Sequence, residues 1–234
     1  MNYIAQFLEG CGRILRLLDQ GSIQKLLELL VRVREEGGRL FILGVGGGAG
    51  HASHAVNDFR KIANFEAYTP TDNVSELTAR INDDGWETCY ADWLRSSRIC
   101  AADMVLVFSV GGGDAERRIS VNLVNALAYA KSVGARIGGV VGRKGGYTGK
   151  VADACVIIPV VSPEKVTAYT ESLQALIWHL LISHPRLQSS SMKWESEKQQ
   201  PASIPVDRVP VMRQPFSEGR RRRRDLCREL FAKR

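Results

Sequence analysis

Two glycine-rich turns and one histidine–carboxylate pair carry most of the chemical content of this 234-residue sequence. GVGGGAG at 44–50 ends one short apolar run and opens a helical pattern; SVGGGD at 109–114 ends another and does the same. Backbone N–H groups at a helix start lack internal partners and carry partial positive charge, and glycine lets that backbone approach an anion closely. Two such turns, at the ends of two strands of one sheet, favour a ligand crevice bordered by Gly46, Gly47, Gly48, Gly111 and Gly112. Neither turn has the Gly-Lys-Ser/Thr ending of a Walker loop or forms a clean GxGxxG fingerprint, and no acidic residue ends the following strand, so no nucleotide cofactor is expected. Asp114 is a preferred N-cap type and is read as capping a helix that starts at Ala115. His54 and Asp58 stand four residues apart on one helix face, with His51 one turn earlier, a workable pair of metal ligands.

The elements that must position these residues follow from hydrophobic periodicity. Residues 3–18 repeat apolar side chains at helical spacing, Gln20-Gly21 breaks the pattern, and Ser22 can cap a second amphipathic helix ending near Gly37-Gly38. From residue 39 the pattern alternates. Apolar runs at 39–46, 65–70, 104–110, 135–142 and 154–161 read as strands, with helices over 50–63, 115–132 and 166–184, the last closed by Pro185. Continuously apolar strands separated by helices imply a parallel sheet covered on both faces, and ligands of such sheets sit at the strands' carboxyl ends.

Composition bounds the rest. Five dispersed cysteines with no CxxC pair argue against a disulfide framework or zinc ribbon and fit a reducing cytoplasm. The N-terminus shows no secretory signal, and no apolar run approaches a membrane span, so no membrane partner is expected. The formal charge is +7, but 12 of the 32 Lys/Arg and 6 of the 25 Asp/Glu lie from Ser189 onward, which leaves 20 against 19 in the body. The basicity belongs to the last segment, 188–234, which is rich in Ser, Gln, Glu and Pro and reads as a flexible tail. Nucleic acid is not an expected partner, because the run of five arginines at 220–224 is more simply a solvated charge run.

Four stretches resemble the sugar isomerase (SIS) domain family, and its sedoheptulose 7-phosphate isomerase (phosphoheptose isomerase) branch in particular: GVGGGAGHASHAVNDF, INDDGW at 81–86, FSVGGGD at 108–114 and TESLQALIWHLL. The resemblance covers roughly residues 3–187. It implies a three-layer α-β-α sandwich of flavodoxin-like type with a five-stranded parallel sheet, an N-terminal helical lead-in at 1–38 for oligomerisation, and a phosphosugar-binding domain at 39–187. It also implies a homo-oligomer, dimer or tetramer, to which the N-terminal helices and Trp178 would contribute contacts.

Family members hold the sugar phosphate with a glycine-serine turn and a Ser-x-Ser-Gly-x-Ser turn. Here Gly48 stands where the first serine is usual. The second turn keeps Ser109 but has Gly111 and Asp114 at the other two positions, with Arg117, Arg118, Arg143 or Lys144 available as compensating charge. Asn82-Asp83 matches a pair whose aspartate contacts substrate. The family's catalytic glutamate falls on Asp58. The apolar pattern places Gln174 at its catalytic histidine, Glu171 at a neighbouring glutamine and His179 at a second, non-catalytic histidine. Asp58 and Glu171 would then face each other across the crevice near His54, sharing base and acid roles or holding a zinc ion. The implied activity is aldose–ketose isomerisation of a ketose phosphate such as sedoheptulose 7-phosphate; the alternative is a non-catalytic phosphosugar-binding, regulatory SIS module.

Overall fold

A computed structural model describes residues 2–192. The chain opens with α1 (Tyr3–Leu17) and α2 (Gln20–Glu35), then β1 (Leu40–Gly44), α3 (Gly47–Lys61) and β2 (Ala67–Tyr68). It continues with α4 (Val74–Asp84), α5 (Cys89–Ser96), β3 (Met104–Ser109), α6 (Val121–Ser132), β4 (Arg136–Val141), α7 (Gly146–Val151), β5 (Ala154–Ile157) and α8 (Val166–Ser183). The strands form one sheet in the order β2-β1-β3-β4-β5, every pair parallel. This order reverses between β1 and β3, and open α/β sheets bind ligands in the crevice outside that reversal.

Alternation along the strands builds the two cores. Leu40, Ile42, Met104, Leu106 and Phe108 face α2, α3 and α8; Phe41, Leu43, Val105 and Val107 face α5 and α6. Both faces are covered, which is why the strands read as continuous apolar runs.

Several boundaries differ from the sequence reading. Gln20 and Gly21 lie inside α2, whose cap is Asp19: its Oδ1 accepts the Gly21 N–H at 2.9 Å, a position an aspartate fills as well as the expected Ser22. The second strand shrinks to two residues, and α4, α5 and α7 are additions. The helix expected from residue 115 starts only at Val121. Residues 114–119 instead close a small loop through paired backbone bonds between Asp114 and Ile119, both 2.9 Å, so Asp114 caps no helix. Trp178 is only 2% exposed and belongs to the core, not to an outer contact face.

The end of the described chain is fastened. Ser189 N–H donates to the Ile62 carbonyl at 2.8 Å, and the Arg34 guanidinium donates to the carbonyls of Leu187 (2.6 Å) and Arg186 (2.7 Å). Leu187 is buried. The folded body thus runs past the expected 187/188 boundary; the rest of the basic segment lies outside the described residues.

Candidate active site and anion cleft

Three polar side chains meet on the outside of the α3–α8 seam. Asp58 Oδ2 lies 3.5 Å from His54 Nε2 and 3.6 Å from His179 Nε2. Asp58 is buried while both imidazoles are about half exposed, so the group opens to solvent. Its carboxylate is fixed from behind: Oδ2 accepts the Trp178 indole N–H at 3.1 Å and Oδ1 the Asn57 amide at 3.0 Å. His179 Nδ1 lies 2.8 Å from the Ala175 carbonyl, which has no proton to give; the ring therefore donates there and turns Nε2 toward Asp58. One ligand atom from each of the three residues falls within 4.8 Å of the others. Tetrahedral ligands at about 2.0–2.1 Å from zinc stand ~3.3 Å apart, so the spacing and the donor types both suit that ion. The backbone carbonyl behind His179 and the indole behind Asp58 are the outer partners that such ligands require.

This arrangement corrects two expectations. The α8 histidine that meets Asp58 is His179, and Gln174 is a core group. Gln174 is fully buried, with Nε2 donating to the Val140 carbonyl at 2.9 Å and Oε1 accepting from His51 Nδ1 at 3.1 Å. Glu171 stands apart from the cluster: a Cβ built on Gly47 would come within 2.5 Å of its Oε1. Gly47 and Asp58 are eleven residues apart on α3, about 16 Å at 1.5 Å per residue. The two carboxylates therefore sit at opposite ends of the seam rather than facing each other. A helical periodicity search offers 171, 174 and 178–179 as near-equivalent faces, and only packing against α3 decides among them.

The two glycine loops do lie at the sheet reversal. The Tyr90 hydroxyl donates to the Gly44 carbonyl at 2.7 Å and closes the end of β1, and burial pushes its phenol well above the usual tyrosine range. Gly46 adopts φ +59°, and a Cβ on Gly48 would overlap the Phe108 carbonyl oxygen. Gly48 is thus imposed by the close approach of α3 to β3, and no serine fits there. Nothing comparable crowds Gly111. Ser109 Oγ accepts the Gly112 N–H at 3.0 Å, within its own loop. Gly112 and Gly113 give their carbonyls to Thr148 and Tyr147 N–H, both 2.8 Å, locking this loop to the start of α7. Asp114 Oδ1 accepts the Arg117 N–H at 2.9 Å. Asp83 lies exposed at the end of α4, where its Oδ1 accepts from the Asn82 amide at 2.8 Å.

Beside the second loop opens a cleft of about 590 Å³, lined by Gly111, Asp114, Arg117, Arg143, Lys144 and Val166 among others. Arg118 is elsewhere, paired with Glu87.

No protein-family model matches the chain. Among solved structures, a phosphoheptose isomerase from Francisella tularensis shares the fold, with a TM-score of 0.67 at 20% identity over 78% of this chain and 97% of that one. The lincomycin biosynthesis protein LmbN of Streptomyces lincolnensis is 29% identical over 191 residues, 77% of this chain and 68% of the relative. The phosphoheptose isomerase of Geotalea daltonii is 30% identical over 143 residues, 59% of this chain and 71% of the relative. The chain belongs to the phosphoheptose isomerase family.

Proposed function

We propose that the protein interconverts a ketose phosphate and the corresponding aldose phosphate, with sedoheptulose 7-phosphate as the substrate. The observation that carries this reading is the pairing of Asp58 and His179, 3.6 Å apart at an open rim. Isomerisation needs a base beside the carbon next to a carbonyl and a second group that handles the proton on oxygen. Asp58, held from behind by Trp178 and Asn57, is the base. His179 exchanges the oxygen-bound proton through Nε2, since its Nδ1–H is committed to Ala175. That role belongs to the metal-free site; the same three side chains, His54, Asp58 and His179, would hold a zinc ion, whose Lewis acidity would then take the place of the His179 proton at the carbonyl oxygen. The residues fit that ion by spacing and donor type. Reaction in a reducing cytoplasm agrees with four free cysteines among the described residues, and no helix there is long and apolar enough to cross a membrane.

The protein is further read as a homo-oligomer. Tyr3, Ile4 and Leu8 on α1 and Leu176 and Leu180 on α8 are exposed, and the α8 pair flanks His179. A second copy covering this face would shield the proton-transfer groups from water.

The full chain incubated with sedoheptulose 7-phosphate should yield aldose phosphate, and Asp58→Asn or His179→Asn should lower kcat by at least about 100-fold with the thermal midpoint retained. Absence of turnover, combined with heat stabilisation by the sugar phosphate, would convert the reading to a binding module.

A further inference from the structure

We propose that the phosphate of the substrate is gripped by Arg117, Arg143 and Lys144 in the cleft beside the second glycine loop, and that the Gly46–Gly48 turn no longer serves as its cradle. The proposal rests on the sugar-phosphate reading above and names which groups hold the anion.

The turn after β1 is closed to an anion. The Glu171 carboxylate already lies against Gly47, at the end of α3 where a phosphate would benefit from the helix dipole. The following amides are also spent, because Gly48 N–H donates to Val45 and both Ala49 and Gly50 N–H donate to Gly46. The loop after β3 has turned its groups inward in the same way, with Ser109 Oγ on Gly112 and the Gly112 and Gly113 carbonyls on the first turn of α7.

The cleft is open and positively charged. Its volume, about 590 Å³, lies within the range of small-molecule sites. Among the described residues, Arg117 reaches Asp114 only at 3.8 Å, and no ion pair engages Arg143 or Lys144. Asp114 spends its other oxygen on the Arg117 N–H, so three cations face one carboxylate that is partly committed. A phosphate monoester carries a charge of about −1.5 to −2 at neutral pH, which matches the surplus of two. Guanidinium groups bind phosphate through paired N–H donors, so charge replaces the lost hydroxyls.

Calorimetric titration of the full chain with inorganic phosphate, and then with sedoheptulose 7-phosphate and with unphosphorylated sedoheptulose, tests this. Arg143→Gln/Lys144→Gln should weaken both phosphate ligands at least about tenfold and raise KM by a like factor with kcat kept. Arg118→Gln, outside the cleft, should change nothing, and Glu171→Gln should alter phosphate affinity less than about threefold. All these side chains are at least partly exposed, so thermal midpoints without ligand report that each variant folds. Wild-type phosphate affinity in the double variant, a tenfold gain in Glu171→Gln, or no phosphate binding by the parent chain would each overturn the proposal. Loss of phosphate binding in the double variant of a chain that shows no turnover would leave the cleft standing and remove the isomerase reading instead.

Discussion

At the scale of single residues, the site depends on how one aspartate is held. The Trp178 indole is buried against Asp58 and its ring lies within 5.5 Å, centroid to centroid, of His51, His54 and His179. Trp178→Phe removes the N–H donor and also leaves a gap in the core where the larger indole stood. Loss of an outer-shell partner typically costs a metal site about 10–100-fold in affinity, and that loss is expected here, read by titrating metal-stripped protein with Co²⁺ and following its ligand-field absorption at a temperature below the lowered thermal midpoint. The glycine loops give a paired expectation. Gly48→Ser should destabilise the fold by about 2 kcal/mol or more through overpacking against Phe108, whereas Gly111→Ser should unfold at the parent denaturant midpoint. The family resemblance pointed to Asp58, at the position of the family's glutamate, and His54 followed from it because it lies four residues earlier on the same helix face. Residue types could not point to His179, because which face of α8 meets α3 is settled by packing between elements far apart in the chain. Nor could they show that Gly48 is a close-contact residue rather than a lost serine.

At the scale of elements, the parallel sheet was legible because each central strand is buried on both faces and reads as an unbroken apolar run. The short β2, α4, α5 and α7 were not, since their stability comes from neighbours rather than from periodicity. A clasp at the start of β1 shows how such neighbours are joined: Arg39 donates to Asp103 at 2.8 Å and to the carbonyls of Ser97 and Arg98, both 3.0 Å, tying β1 to the end of α5 and the start of β3. Burial alone would raise the Asp103 carboxyl, but hydrogen bonds from Arg39 and from the Cys100 N–H override it and hold the group below the usual carboxylate range. A depressed folded value means the stabilisation is present above the unfolded value of about 3.9 and is lost as pH falls through the folded one. Asp103→Asn should therefore cost about 3 kcal/mol at pH 7, and the gap to the parent should narrow in urea melts run progressively below pH 4.

At the scale of the whole molecule, the separation of the glycine loops from Asp58 by the length of α3 makes a shared site the expected arrangement. Mixing a His179→Asn chain with an Arg143→Gln/Lys144→Gln chain, under conditions that exchange subunits, should raise turnover at low substrate concentration above the sum of the two unmixed variants; a mixture that gives only that sum would argue for a site within one copy. The amphipathic pattern of residues 3–18 left open whether α1 covers its own sheet or a neighbouring copy, and in the structure it leaves Tyr3, Ile4 and Leu8 exposed, while nothing in Trp178 itself told that it would face inward. Arg34 has a consequence of a different kind. By pinning Arg186, Leu187 and Ser189 against the end of α3, it fixes the last described residues to the body. A reporter or tether joined after Met192 should start from the same spot in every copy, and replacing Arg34 by alanine should release that anchorage and admit proteolytic cleavage around residues 186–190.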